Sequence, residues 1–183
     1  MKKAPRGCDA DPSPTSGAGE PLIIRLAILA DRETALALVP RLRAFGPPPL
    51  RPAEALDAGE QRTLERFFSA PPEGARLWVA VEEDGEVLGI AYAEPAVDYF
   101  TQERHGHLGI IAVAEAAEGR GVGRELLATV ERWAAEEGFR FLTLNVFATN
   151  ARAIAVYQRA GYQPDTVRYL KELPPPASGS NGD

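Results

Sequence analysis

Apolar residues in this chain recur at two spacings, and the spacings predict its elements. Leu22 to Leu29 is a short, partly β-branched apolar run that reads as a strand. Behind Asp31, the residues Ala35, Leu38, Val39 and Leu42 follow at helical spacing, which predicts a helix capped near Asp31. The stretch Phe45-Gly46-Pro47-Pro48-Pro49-Leu50 must break that helix, and Leu56, Leu64, Phe67 and Phe68 mark a second helical face over Ala53 to Phe68. Residues 76–82 and 86–93 are strand-like runs on either side of Asp84-Gly85, a pair suited to the positive φ angles of a tight turn, so an antiparallel hairpin is expected. A further strand, His107 to Val113, leads into a glycine-rich turn. Val122, Leu126, Leu127, Val130, Trp133 and Ala134 then recur at helical spacing up to Gly138. Phe139 to Phe147 reads as a strand, Asn150 as the cap of a helix from Ala151 to Ala160, and Tyr162 to Leu173 as one or two closing strands. The order is mixed α/β, and its hairpins exclude a purely parallel sheet.

Composition narrows the partners. The chain has 183 residues with 20 Lys+Arg against 26 Asp+Glu, a net charge of −6, which offers no basic field for nucleic acid. Residues 1–21 and 174–183 are rich in Pro, Gly, Ser and Asp and are expected to be disordered tails around one domain, residues 22–173. Cys8 is the single cysteine, so an internal disulfide is excluded and a reducing compartment fits. The basic start lacks an apolar stretch and no run is long enough to span a bilayer, so the expectation is a cytoplasmic protein with no membrane partner.

The chemistry concentrates in Glu118-Gly119-Arg120-Gly121-Val122-Gly123-Arg124, between a predicted strand and a predicted amphipathic helix. Glycines let backbone approach a ligand, free N–H groups at a helix start point at it, and the helix dipole favours an anion such as a pyrophosphate. Arg120 and Arg124 add charge. A Rossmann fingerprint would need glycine where Arg124 stands, and a P-loop would need Gly-Lys-Ser/Thr, which is missing, so a nucleotide-binding α/β domain fits poorly.

These glycines after Ile111-Ala112-Val113, with Asn150-Ala151-Arg152-Ala153 and Tyr157-Gln158-Arg159-Ala160-Gly161-Tyr162 downstream, resemble the GNAT superfamily of acyl-CoA-dependent N-acetyltransferases over about residues 22 to 173. The resemblance implies a three-layer fold: a central mixed, mostly antiparallel sheet of six to seven strands flanked by about four helices. It implies acetyl-CoA as co-substrate, with its pyrophosphate cradled by positions 118 to 123. There Glu118 departs from the usual Gln or Arg, and a carboxylate beside a pyrophosphate must face away or weaken binding. By the same resemblance the backbone of Ile111, Ala112 and Val113 would pair with the pantetheine arm and supply an oxyanion donor. Asn150 would contact the cofactor and Tyr157 would protonate the departing thiolate. Positions 150, 153 and 157 share one helix face, where small Ala153 leaves room. The plain alternatives stay open: Asn150 as a cap alone, Tyr157 as packing, Arg120 and Arg124 as solvated charges.

An amine must lose a proton before it attacks a thioester. Where relatives carry a glutamate on the strand before the glycine loop, this chain has Gly109 and Ile110. The candidates to replace it are Glu94 and His107, followed by Asp98 and Glu103. His105 and His107 have no third partner for a metal, so none is expected. The acceptor is expected over residues 41–68 and 92–105, with Pro47-Pro48-Pro49 stiffening one wall, Tyr99 and Phe100 giving apolar contacts, and Asp98 or Glu103 drawing in a cation. Two functions are carried forward: transfer of an acetyl group to a primary amine of a small molecule or peptide, and a catalytically silent acyl-CoA-binding or protein-interaction module. An exposed sheet edge near the C-terminus would allow a homodimer.

Overall fold

The computed structural model describes residues 22–46, 48 and 50–174. The predicted tails at 1–21 and 174–183, apart from Pro174, together with Cys8, Pro47 and Pro49, lie outside the described residues. Five strands form one sheet in sequence order, β1 (Ile23–Leu26), β2 (Arg76–Val81), β3 (Val87–Val97), β4 (Arg104–Val113) and β5 (Leu142–Leu144). The first four pair antiparallel and β5 joins β4 in parallel. Four α-helices complete the chain, α1 (Arg32–Ala37), α2 (Ala53–Ser69), α3 (Val122–Glu136) and α4 (Ala151–Arg159).

Alternation along the strands sorts apolar residues into two cores, one on each face of the sheet. Trp78, Ala91, Ala93 and Leu108 pack against Leu126, Leu127, Val130 and Trp133 of α3, with Tyr157 of α4 at the margin. Leu77, Val79, Ile90, Tyr92, Ile110 and Ala112 pack against Ala35, Leu38 and Leu64 from α1, α2 and the turn between them. Helices therefore cover both faces, as the fold class predicts. Each fully buried side chain such as Leu64 or Ile110 contributes on the order of 2 kcal/mol by leaving water.

Three expectations are corrected. The first helix does not run to Leu42: Pro40 lacks the N–H to continue it, and a 3-10 turn over Val39–Arg43 takes its place. Asp31 stands at the start of α1 without capping it, because its carboxylate is held by Arg25 at 2.7 and 2.9 Å and by the Ile28 N–H at 2.7 Å. The sheet among the described residues has five strands, not six or seven. Only Leu142–Leu144 of the run 139–147 is strand, and residues 162–174 form none. The two edge strands of the sheet, β1 and β5, have four and three residues, too short to template a further long strand, and Val167, Tyr169, Leu170 and Leu173 stay exposed. No described helix is long and apolar enough to cross a membrane.

Candidate active site at the divergence of two parallel strands

β4 and β5 pair only at Gly106↔Leu142, His107↔Thr143 and Leu108↔Leu144. Beyond Leu108 the two strands separate. The cause lies on the other side of β4: Tyr92 pairs with Ile110 while Ala93 pairs with Leu108, which leaves Gly109 as the extra residue of a β-bulge. A Cβ on Gly109 would stand 3.3 Å from Cδ1 of Tyr92, so glycine lets the bulged strand close onto that ring. Alternate backbone groups of β4 from Gly109 to Val113 are thereby left with no strand partner toward β5. Arg41 takes one of them, donating from Nε to the Val113 carbonyl at 3.3 Å.

At the far end of that opening α3 begins. Gly121 is its N-cap residue at φ +86°, a left-handed conformation that costs a side-chain-bearing residue about 1 kcal/mol or more. The first backbone N–H groups that find a carbonyl are those of Arg124 and Glu125, both on Gly121. The N–H groups of Gly121, Val122 and Gly123 have no backbone partner among the described residues, and they converge where the α3 dipole is positive. This is a cradle for a phosphate-like anion.

The side chains around the cradle have partners within the chain. Glu118 accepts from two guanidinium groups, Arg41 at 2.5 Å and Arg152 at 2.6 Å, and Arg152 chiefly holds its carboxyl below the usual range. The negative charge is thus compensated within the chain. Arg120 pairs with Glu82, and Arg124, mostly exposed, lies 3.4 Å from Glu125. Asn150 caps α4, its side chain accepting from the Ala153 N–H at 3.1 Å. Tyr157 sits one turn beyond Ala153, half-buried against Tyr162 with ring centroids 5.8 Å apart, and burial raises its pKa.

On the α2 face the two base candidates meet. Glu94 and His107 are register partners on neighbouring strands and so share a sheet face. The Glu94 carboxylate is already engaged, accepting from the Tyr92 hydroxyl at 2.7 Å and from Arg66 at 3.1 Å. Burial, with this hydrogen bond, pushes the Tyr92 phenol up to about 12. His107 has Nδ1 2.9 Å from the Thr143 hydroxyl, and burial lowers its pKa, so the neutral ring predominates near neutral pH. Thr143 also lies 3.4 Å from the Gly106 carbonyl. In the tautomer where Thr143 gives its one proton to that carbonyl, His107 Nδ1–H donates to Thr143 and Nε2 is the basic atom.

The β3–β4 loop stands apart. Asp98 accepts from the Phe100 N–H and from both the N–H and hydroxyl of Thr101, which ties it into its own turn. Glu103 is 3.8 Å from Arg140, and Tyr99 and Phe100 meet edge to face in solvent. β4 starts at Arg104, so Ile110 is about 20 Å further along the strand at roughly 3.3 Å per residue. The segment between α1 and α2 makes contacts beyond the end of β5. Phe45 packs on Phe147 beyond β5 at 5.9 Å, and Arg51 lies over the same ring at 5.6 Å.

Three residues escaped the sequence reading. Arg41 and Thr143 gave no local signal, whereas Glu60 interrupts the apolar stripe of α2 one turn from both Leu56 and Leu64.

The model of the Acetyltransferase (GNAT) family matches residues 41–162. Among curated proteins, the chain is 39% identical over 111 residues to a mycothiol acetyltransferase of Amycolatopsis mediterranei, covering 59% of this chain and 36% of that protein. It is 28% identical over 120 residues to an uncharacterized N-acetyltransferase of Bacillus subtilis, covering 64% of this chain and 80% of that one. The chain thus spans about a third of the mycothiol acetyltransferase. Among solved structures, aminoglycoside N-acetyltransferase AAC(6')-Iy in complex with CoA aligns at TM-score 0.65 and 22% identity, covering 85% of this chain and 97% of that one. Glucosamine-6-phosphate N-acetyltransferase from Arabidopsis thaliana aligns at TM-score 0.58 and 15% identity, covering 85% and 100%. At these identities the structures share the fold.

Proposed function

The chain belongs to the GNAT family of acetyltransferases, and from that premise we propose that it transfers an acetyl group from acetyl-CoA to a primary amine of a small molecule or peptide. The observation that carries this is the junction of an unpaired β4 edge with the cradle of free N–H groups at Gly121, Val122 and Gly123. The junction suits a donor with an extended amide-bearing arm and a pyrophosphate: strand-like backbone for the first, helix N-terminal N–H groups for the second. Such a donor supplies the activated thioester.

The chain's own groups supply the rest. The β4 backbone near Ile111 orients the carbonyl and offers an N–H where negative charge develops. His107 Nε2 accepts the proton of the incoming ammonium. The Tyr157 hydroxyl, kept protonated by burial, gives a proton to the departing sulfur. Holding amine and thioester together supplies about 7 to 11 kcal/mol of the barrier, so positioning carries more than either proton transfer. Neutral Gly109 and Ile110 at the positions where relatives have a base favour the second function, a silent acyl-CoA-binding module; His107 beside Thr143 speaks against it.

Acetyl-CoA should raise the melting temperature, by about 2.7 kcal/mol of stabilisation at about a hundred times Kd, or roughly 5 to 10 °C. NAD and ATP at the same concentration should not. A calorimetric titration with no heat at millimolar acetyl-CoA would sink the proposal.

A further inference from the structure

Helix α2 packs on the sheet through Leu64, Phe67 and Phe68, while Ala58, Gln61, Arg62 and Glu65 line a shallow groove on its outer side. At 100° per residue, Glu60 falls in the centre of the inner stripe, one turn from Leu56 and one from Leu64. A carboxylate there costs stability unless something compensates it. Four other acids are compensated within the chain: Asp57 by Arg43 at 2.8 Å, Glu65 by Arg32 at 2.9 Å, Glu94 by Arg66 and Tyr92, Glu118 by Arg41 and Arg152. Glu60 has no hydrogen bond and no ion pair among the described residues. The Thr63 hydroxyl, one turn on, donates to the Gly59 carbonyl instead. Glu60 is half-buried, and burial alone raises its pKa. Leu64, one turn on along the same stripe, packs in the core that holds Tyr92, Ile110 and Ala112, the part of the sheet where β4 has lost β5. The Phe45–Phe147 contact and the Arg43–Asp57 pair wall the same end of the helix.

We propose that Glu60 is the carboxylate that receives the ammonium group of the acceptor on the α2 side of the opening between β4 and β5. The inference rests on acetyl transfer to an amine. A protonated aliphatic amine would supply the three donors that the chain withholds from Glu60, and lining it up there places its nitrogen on the sheet face that carries His107. An amine that is neutral in solution gains much less from the same carboxylate.

The test compares wild type with Glu60→Gln and Glu60→Asp, using a protonated aliphatic diamine and an uncharged aromatic amine as acceptors. Loss of one charge-assisted contact should raise the KM for the aliphatic amine by about tenfold or more in Glu60→Gln. The KM for acetyl-CoA and the acetyl-CoA-induced rise in melting temperature should stay put, the aromatic amine should be little affected, and Glu60→Asp should recover part of the loss. Unchanged acceptor KM in Glu60→Gln, or an equal loss for both amines, would overturn the role of Glu60 and leave acetyl transfer standing. Failure of wild type to bind acetyl-CoA or to acetylate either amine would instead overturn the functional proposal and this inference together.

Discussion

Tyr157→Phe should lower kcat by about 10²- to 10⁴-fold while leaving the affinity for acetyl-CoA within a few-fold of wild type. The substitution removes one oxygen and keeps the ring that packs on Tyr162 at 5.8 Å, so α4 should stay in place. The size of the effect follows from what the hydroxyl does: a thiolate leaving from a thioester needs a proton, and burial holds the phenol in its protonated form. Steady-state kinetics with free-thiol detection, alongside a thermal-shift titration, separate the two parameters. An acceptor-independent role in packing would instead appear as a lowered melting temperature with kcat nearly intact.

The second large effect belongs to His107. His107→Gln should reduce kcat/KM for the amine by about 10² to 10³ and remove the acid limb of its pH profile. The ring must be neutral to accept a proton. Burial lowers its pKa, so neutral imidazole persists to lower pH than for a free histidine, whose ordinary value is 6.5. In wild type the activity should therefore fall, as pH decreases, with a midpoint below 6.5. A profile that keeps the same acid limb after His107→Gln would transfer the base role elsewhere, with Glu94 the adjacent candidate. Its carboxylate is already shared between Tyr92 and Arg66, which is why His107 ranks ahead of it.

Local chemistry explains which parts of this molecule are legible in sequence. The α3 stripe of Val122, Leu126, Leu127, Val130 and Trp133 specifies both a helix and the face it buries, and Gly121 specifies the left-handed cap that aims its N–H groups. The Asp84-Gly85 hairpin is equally local, and Gly85 does take a positive φ. Strand pairing is not local. The run 139–147 has strand composition throughout, yet only three residues pair, because the bulge at Gly109 turns β4 away after Leu108. The alternating apolar residues near Val167 and Tyr169 had no wide sheet edge to join.

The same distinction runs through the site. Asn150 as a cap reads directly from its position before a helix, whereas the Arg41–Glu118 pair joins residues 77 apart and leaves no trace in spacing. Glu94 and His107 were separate candidates in sequence, and register places them opposite each other. Glu60 did leave a trace, an acid in an apolar stripe, although only the pairing of Asp57 and Glu65 on either side of it gives that trace meaning.

The most direct test of the account is turnover itself: wild-type protein with acetyl-CoA and a panel of primary amines, followed by free-thiol release and by mass spectrometry of the amine. The account predicts thiol release that requires both protein and amine, with one acetyl group gained on nitrogen for each CoA freed. Binding of acetyl-CoA with no amine-dependent release across small-molecule and peptide amines would contradict it and leave a module that holds acyl-CoA without transferring it.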